Sequence, residues 1–288
     1  MIPLVTRHQS QALDRLAISE YHVPGIELMG RAGRQVADRI IAQQESGNPP
    51  LTVAVVCGKG NNGGDGFAAA LNLKAAHISV HVFSLAEEDL IRGDARHFYR
   101  QCCEQSIPVE FQQEPPETTR FDWIIDAILG TGFHGELRDS IRRWTSWINQ
   151  AGAKILAIDV PTGVDANTGE IAGDSIRAAE TVTMGYVKVG MTLEPGKSFC
   201  GRVVAVDIGF PPVYEKLPGR KYSLFQTQDA RTALPPLNPA THKHNQGKVL
   251  VLAGSRGMTG AAALTTLGAL RSGAGLTITL APESLEPV

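Results

Sequence analysis

A glycine-rich segment lies between a short apolar run and an alanine-rich stretch. The apolar run is Leu51–Cys57, and the segment reads Gly-Lys-Gly-Asn-Asn-Gly-Gly-Asp-Gly from Gly58 to Gly66. An apolar run that ends in glycines is typical of a buried parallel strand. Parallel strands need crossover connections, which are usually helices. This feature therefore predicts an α/β fold.

The same alternation of strand and helix patterns continues along the chain. We predict further strands over Ile78–Phe83, Val109–Phe111, Phe121–Ile125, Lys154–Ile158, Glu180–Met184 and Arg202–Val206, with helices over Gly66–Ala76, Glu87–Gln105 and Arg138–Gln150. Residues Thr6 to Ala42 predict two helices, with Thr6 capping the first and a break at Pro24-Gly25. Together these patterns predict a Rossmann-like, doubly wound, mainly parallel sheet with helices on both faces.

The composition changes to proline-rich over residues 211–240, where periodic apolar patterns are weak. We predict a linker there, behind a first domain at residues 1–210. Lys248–Ala253 then predicts a new strand, which a helix to Ser272 follows. Residues 241–288 hold too few elements to bury both faces of a parallel sheet. We therefore expect them to be the N-terminal fragment of a second α/β domain.

Composition argues against several classes of function. The formal net charge is -2, with no cluster of Lys and Arg, so nucleic acid is not an expected partner. The four cysteines lack Cys-x-x-Cys spacing, which argues against a zinc site or a disulfide framework. The N-terminus lacks a basic leader with an apolar core, and no apolar run reaches membrane-spanning length. We expect a cytoplasmic protein with no membrane partner.

The first glycine loop formally satisfies the dinucleotide pattern GxGxxG from Gly58 to Gly63. A dehydrogenase also needs an acidic residue at the end of the next strand to hold the ribose, but Ser84 and Leu85 stand there. The tract from Asn61 to Asp65 adds amide and carboxylate oxygens, which suit a polar ligand and a cation. A tight turn with helix-capping residues is the alternative, but capping needs only one or two of them.

Two more predicted strands end in comparable segments. Asp126-Ala-Ile-Leu-Gly-Thr-Gly-Phe-His-Gly-Glu136 follows Phe121–Ile125, and Asp159-Val-Pro-Thr-Gly-Val-Asp165 follows Lys154–Ile158. Ligands of open α/β sheets bind at the carboxyl ends of the strands. We therefore predict that the three segments form one site.

The three motifs at 60–66, 126–132 and 159–164 together resemble the NAD(P)H-hydrate epimerase domain, over about residues 6–230. The resemblance implies an isomerase that interconverts the R and S forms of hydrated NADH and NADPH, as a homodimer or higher homo-oligomer. It also implies one potassium ion held by Asn62, Asp126 and Thr162, which are hard oxygen ligands. The substrate contacts that it implies are Asn61, Asn62, Gly63, Gly64, Asp65, Gly130, Thr131, Gly132, Phe133, His134, Gly135, Glu136 and Asp159.

The C-terminal segment carries a second resemblance. His-Lys-His-Asn-Gln-Gly-Lys from His242, then Val-Leu-Val-Leu-Ala-Gly-Ser and Met-Thr-Gly-Ala-Ala, are similar to the start of an ADP-dependent NAD(P)H-hydrate dehydratase domain, which is ribokinase-like. Many bacterial repair enzymes fuse this domain behind the epimerase. The resemblance implies that a longer protein would also dehydrate the S hydrate with ADP or ATP, at a nucleotide site beyond Val288.

The hydrate carries a hydroxyl on the ring carbon next to the nitrogen, so epimerisation needs that carbon to become planar and be attacked on its other face. A carboxyl group can protonate the departing oxygen and then accept a proton from returning water. We predict Asp159 as this catalytic residue and Asp65 as the second candidate, with a capping or orienting role as the alternative for Asp159. An NAD(P)-binding oxidoreductase and a non-catalytic nucleotide-binding or scaffold module are the rival functions.

Overall fold

The computed structural model describes residues 1–44, 51–117, 120–234, 236 and 240–285. The chain divides into two compact units, Met1–Gln226 and Thr227–Val288. In the first unit, helices flank a seven-stranded parallel sheet, so the predicted doubly wound α/β class is confirmed. No helix in the described ranges is both long and apolar enough to span a membrane.

The elements of the first unit follow in chain order. Its strands are β1 (Ile2–Val5), β2 (Thr52–Cys57), β3 (Ser79–Ser84), β4 (Val109–Phe111), β5 (Trp123–Ala127), β6 (Lys154–Ile158), β7 (Glu180–Met184), β8 (Val187–Lys188), β9 (Arg202–Val206) and β10 (Tyr222–Leu224). Its helices are α1 (Arg7–Ser19), α2 (Gly25–Ile41), α3 (Asn61–Ala75), α4 (Gly93–Glu104), α5 (Asp139–Gln150) and α6 (Gly196–Phe199).

The strand order of the large sheet is β4-β3-β2-β5-β6-β7-β9. The chain runs outward from β2 to β4 and then returns to β5 on the other side of β2. This reversal opens a crevice at the carboxyl ends of β2 and β5, where ligands of doubly wound sheets bind. The register places Cys57 beside Ala127 and Val56 beside Asp126, so the two loops start at the same level.

The sheet is buried on both faces because successive side chains of β2 alternate between two cores. Val53 and Val55 pack in the core that includes α2 and α3, whereas Ala54 and Val56 pack with Trp144 of α5. Full burial of such an apolar side chain stabilises the fold by about 1.5–3 kcal/mol. These two cores hold the strand ends, and hence the loops after them, in fixed positions.

Two helix starts follow their local chemistry. Thr6 caps α1 in a capping box with Gln9, as predicted. Helix α2 begins at Gly25, so the predicted break at Pro24-Gly25 is one residue too long. The prediction for α3 was wrong by five residues, because the helix begins at Asn61 and its glycines lie inside the first turns. Glycine has a low helix propensity, so its clustering favoured a loop prediction. The predicted helix Glu87–Gln105 is also interrupted, and α4 begins at Gly93, whose φ of +59° suits glycine.

A small sheet of order β10-β1-β8 completes the first unit. In it, β1 pairs in parallel with β8 and antiparallel with β10. Val213 and Leu217 are buried beside Val5 and Leu13. Residues 211–226 therefore belong to the first unit, and the predicted linker at 211–240 was wrong for this part. The segment is rich in proline and holds only a 3₁₀ turn and a short strand, so it carries no periodic pattern.

The second unit is a small α/β segment. It contains α7 (Thr227–Ala233), β11 (Lys248–Leu252), α8 (Thr259–Arg271) and β12 (Leu276–Leu280), with β11 parallel to β12. Leu250, Leu252, Ile278 and Leu280 are exposed. The predicted domain start at residue 241 stays a prediction.

Candidate active site

A cavity of about 920 Å³ lies where the loops after β2, β5 and β6 meet. Helices α1 and α2 also contribute to its wall, through Asp14 and Met29 among others. Ligand cavities have typical volumes of about 300–1,000 Å³. Its size therefore suits a large ligand such as a dinucleotide.

Most of the predicted substrate contacts line this cavity, namely Asn61, Asn62, Asp65, Gly130, Thr131, Gly132, Phe133, His134, Glu136 and Asp159. Gly63, Gly64 and Gly135 are not in its lining. A Cβ at Gly63 would lie 1.9 Å from the Gly58 carbonyl oxygen, and one at Gly64 would lie 2.5 Å from Met29 Sδ. These two glycines therefore allow α3 to pack closely against its own loop and α2. Gly135 has a φ of +79°, which fits a turn.

Two of the three predicted cation ligands, Asn62 and Thr162, bond the backbone of Leu129, and the third, Asp126, bonds Thr162. Asn62 Nδ2 donates to the Leu129 carbonyl at 3.0 Å, and the Leu129 N–H donates to Thr162 Oγ1 at 3.0 Å. Asp126 accepts from Thr162 Oγ1 at 2.7 Å and from the Thr162 N–H at 2.8 Å. One hydrogen-bonded group thus links the loops after β2, β5 and β6.

Asp126 is fully buried, and burial raises its pKa to about 6 against the lowering effect of hydrogen bonds from Thr162 and Ile128. Its hydrogen-bond donors among the described residues are uncharged. A buried carboxylate with no counter-charge is unfavourable unless a cation lies near it. Carboxylate, hydroxyl and amide oxygens are the donors that alkali cations take. Asn62, Asp126 and Thr162 therefore fit a bound potassium ion.

A buried ion pair lies at the end of β6. Lys188 Nζ is 2.5 Å from Asp159 Oδ1, and their side chains are 1% and 14% exposed. Lys188 also donates to Thr183 Oγ1 at 2.7 Å, while the Thr131 N–H donates to Asp159 Oδ2 at 3.1 Å. Burial alone would raise the pKa of Asp159, but the charge and hydrogen bond of Lys188, with Thr131, lower it below its ordinary value. Asp159 is therefore held as a carboxylate.

Two other carboxyl groups line the same cavity and behave in the opposite way. Burial, followed by the charges of Asp159 and Asp14, raises the pKa of Asp65 well above its ordinary value. Burial and the charge of Asp159 raise the pKa of Asp14 to about 6. Solvent reaches Asp14 through the open cavity, but the surrounding walls remove part of its hydration. Carboxyl groups with such divergent pKa values are typical of acid–base sites.

Residues 25–190 match the family model described as "YjeF-related protein N-terminus". The chain belongs to this YjeF-related family. An NAD(P)H-hydrate epimerase from Pirellula staleyi is 37% identical over 212 residues, which cover 71% of the chain and 92% of that relative. A bifunctional NAD(P)H-hydrate repair enzyme from Moorella thermoacetica is 36% identical and covers 99% of the chain, which spans 55% of that relative's length.

A solved structure supports the fold of this YjeF-related chain. The crystal structure of the yeast protein YNL200c is similar with a TM-score of 0.63 and 23% identity, covering 78% of this chain and 98% of its own. The chain spans about half the length of the bifunctional relatives from Moorella thermoacetica and Salinibacter ruber.

Three positions that contribute to the candidate site of the YjeF-related unit were not predicted from the sequence. Lys188 stands in a short apolar run between two glycines, and a lysine in such a run is a signal of a buried charge. Asp14 lies on the polar side of α1, like many solvated acids. Arg7 follows the capping residue of α1, and it donates to the carbonyl oxygens of Thr131 at 2.8 Å and Phe133 at 2.7 Å. Arg7 thereby ties α1 to the loop after β5.

Proposed function

We propose that this chain is an NAD(P)H-hydrate epimerase that interconverts the R and S forms of hydrated NADH and NADPH. The observation that carries the proposal is the Asp159–Lys188 pair at the cavity, because it provides a carboxylate able to accept a proton from water. The epimerase relative from Pirellula staleyi matches over most of its own length, which supports the same activity. Lys188 is not in the cavity lining and acts through Asp159, as a positioning residue.

Several groups are suited to bind the substrate. The first N–H groups of a helix have no intrahelical partner and favour anions. Gly60 and Asn61 at the start of α3 line the cavity beside Lys59, so this end suits the substrate pyrophosphate. Gly130 lies between Asn62 and Asp159, where a Cβ would be 3.0 Å from Asn62 Oδ1 and 3.1 Å from Asp159 Oδ2. The glycine keeps this part of the cavity open for the reacting ring.

We propose Asn62, Asp126 and Thr162 as the residues that hold potassium. When bound, the ion would supply positive charge next to Asp126 and the neighbouring loops. The chain's own contribution is the hydrogen-bonded group around Leu129, which fixes the loop that continues to Gly130 and Thr131.

The structure offers less support for the rival functions. Ser84 at the end of β3 is buried and donates to the Ala86 carbonyl at 2.7 Å, and the adjacent Leu85 and Ala86 line the cavity. An acid for the ribose of an intact dinucleotide is therefore missing at that position. A non-catalytic scaffold would not need a buried lysine to keep a cavity carboxylate ionised, and such a pair costs desolvation free energy.

The other predictions stay proposals for a longer protein or for the assembly. They are the ADP-dependent dehydratase activity, the homo-oligomer, the cytoplasmic location and the lack of a nucleic-acid partner. The bifunctional repair enzyme from Moorella thermoacetica is nearly twice as long as the part of it that this chain matches.

The test is to incubate the purified chain with each separated epimer of hydrated NADH and NADPH and to follow both epimers by chromatography. We expect interconversion without hydride transfer. Asp159 has a φ of +68°, which asparagine tolerates, so Asp159→Asn removes the charge without forcing the backbone to move. This variant should lose about 10²-fold or more in rate. The exposed Asp174→Asn is the matched control, and an unchanged rate in Asp159→Asn contradicts the assignment.

A further inference from the structure

A second reactive carboxyl group enters the cavity from a different wall. Asp14 belongs to α1, whereas Asp159 follows β6, and both line the cavity. Within the described ranges of the chain, the Asp14 carboxyl has no hydrogen-bond or ion-pair partner. A carboxyl group that holds no other element in place is free to serve a ligand.

The position of Asp14 is nevertheless fixed, because α1 is anchored at its start. Gln9 completes the capping box with Thr6 and donates through Nε2 to the Pro218 carbonyl at 2.9 Å and the Arg220 carbonyl at 3.1 Å. Leu13, the neighbour of Asp14, is buried. The backbone of α1 that carries Asp14 is therefore held in place from its first turn.

The charged groups near Asp14 come from four elements. They are Arg15 of α1, Asp65 of α3, Asp159 after β6 and Lys188 of β8. Burial and Asp159 raise the pKa of Asp14 to about 6, while Lys188 and Arg15 oppose this rise. Asp14 can therefore hold and release a proton near neutral pH, as acid–base catalysis requires. Burial and the charges of Asp159 and Asp14 also raise the pKa of Asp65 well above its ordinary value.

Epimerisation exchanges the two faces of a planar ring carbon, and a carboxyl group on one side of the ring reaches only one face. We propose that Asp14 is the second acid–base group of the site and serves one face of the ring, while Asp159 serves the other. This inference rests on the proposed epimerase function.

The proton and electron balance of the step is complete without another reagent. The carbon–oxygen bond breaks, the oxygen keeps the bonding pair, and protonated Asp14 gives it a proton so that it leaves as water. The lone pair of the ring nitrogen forms a carbon–nitrogen double bond. Water then adds to the other face and forms a new carbon–oxygen bond, the double-bond pair returns to nitrogen, and the Asp159 carboxylate takes the released proton. The opposite epimer follows the reverse path, and exchange with solvent resets both carboxyl groups.

The experiment uses Asp14→Asn in the full chain, with the exposed Glu20→Gln at the end of α1 as the matched control. We expect kcat of Asp14→Asn to fall about 10²-fold or more with little change in KM, and the limb of its pH profile near the pKa of Asp14 to disappear. Asp14→Glu should retain part of the rate. Thermal unfolding of Asp14→Asn should not occur at a lower temperature than in the wild type, because a like-charge repulsion is removed.

Oxygen-labelled water separates a role on one face from a general loss of function. Asp14→Asn should still exchange label into one epimer of the hydrate through Asp159, and Asp159→Asn should exchange it into the other epimer through Asp14. Near-normal epimerisation by Asp14→Asn overturns the role of Asp14 but leaves the proposed function standing. The same holds if this variant loses label exchange in both epimers or fails to fold. A wild-type chain that leaves both epimers unchanged overturns the proposed function itself.

Discussion

Lys188 Nζ lies 2.5 Å from Asp159 Oδ1, and this contact joins the small three-stranded sheet to the end of β6 in the large sheet. Lys188 is almost fully buried, with Thr183 Oγ1 and the Met184 carbonyl as its other partners. Because a buried ammonium needs such partners, the site residue and the fold depend on the same contact. The first prediction tests both.

Lys188→Met should lower epimerisation by about 10²-fold or more and destabilise the fold by about 3–5 kcal/mol, since it leaves a buried carboxylate without its partner. The pKa of Asp159 should rise once burial is no longer opposed by the lysine charge, so the acidic limb of the kcat/KM profile should move to higher pH. Activity across pH and urea unfolding measure the two effects.

The exposed Lys197→Met is the matched control for this substitution. In the wild type the pKa of Asp159 is lower in the folded state than its ordinary 3.8, so the unfolded state binds more protons. The stabilisation is therefore present above pH 3.8 and is lost as the pH falls through the lowered value. Lys188→Met should lose this dependence, and an unchanged pH profile of stability contradicts the ion pair.

The cation site makes a separate prediction. We expect the thermal midpoint to be higher in potassium chloride than in an equal concentration of choline chloride, because a bound ion stabilises the folded state. Thr162→Ala should reduce this difference between the two salts. It should also lower the free energy of unfolding by about 1–3 kcal/mol, since the Leu129 N–H and Asp126 each lose a hydrogen-bond partner. Thr162→Ser restores the hydroxyl and should behave like the wild type. Equal midpoints in both salts contradict a potassium site.

Two glycines of one loop form a matched pair for a steric test. A Cβ at Gly130 would lie 3.0 Å from Asn62 Oδ1 and 3.1 Å from Asp159 Oδ2, whereas a Cβ at Gly132 would meet nothing within 4 Å. Gly130→Ala should therefore reduce kcat/KM by about 10-fold or more, on the scale of a small misplacement of reacting groups. Gly132→Ala adds the same methyl group where the protein leaves room for it, so its loss of kcat/KM should be the smaller of the two. Steady-state kinetics of both variants test this steric explanation, and equal losses of kcat/KM in the two variants contradict it.

The hydrogen bonds of Arg7 predict that α1 helps to position the loop after β5. Arg7→Gln removes donors to the Thr131 and Phe133 carbonyls and the ion pair with Asp165 at 2.6 Å. Hydrogen bonds from charged groups contribute about 1.5–3 kcal/mol, so the thermal midpoint should fall measurably. KM should rise because the loop lines the cavity. Exposed Arg34→Gln is the control, and a normal KM in Arg7→Gln contradicts this coupling.

The sequence predicts the convergence of the three loops well, because the carboxyl ends of neighbouring parallel strands meet at one edge of the sheet. The structure brings Asn62, Asp126 and Thr162 together around Leu129 in this way. The predicted bounds of β4, β6, β7 and β9 match the structure, whereas β3 lies one residue and β5 two residues later than predicted. These features depend on patterns that are local in sequence.

Other parts of the site depend on contacts between distant segments and carry no local signal. Lys188 lies in a strand of two residues, and its role arises only when β8 pairs with β1. Asp14 lies on an amphipathic helix, where the pattern alone gives an acid a solvated surface position. The start of α3 was missed because close packing at Gly63 and Gly64 outweighs their low helix propensity.

The pairing of β1 with both β8 and β10 also has a consequence for biosynthesis. Residues Ile2–Val5 leave the ribosome before their second partner, Tyr222–Leu224, which is translated more than two hundred residues later. The strand that carries Lys188 thus gains its complete sheet only after nearly all of the first unit has been synthesised. A nascent chain that stalls before residue 222 lacks β10, so its small sheet can hold only β1 and β8. The order of synthesis therefore makes this small sheet the last of the two sheets in the first unit to be completed.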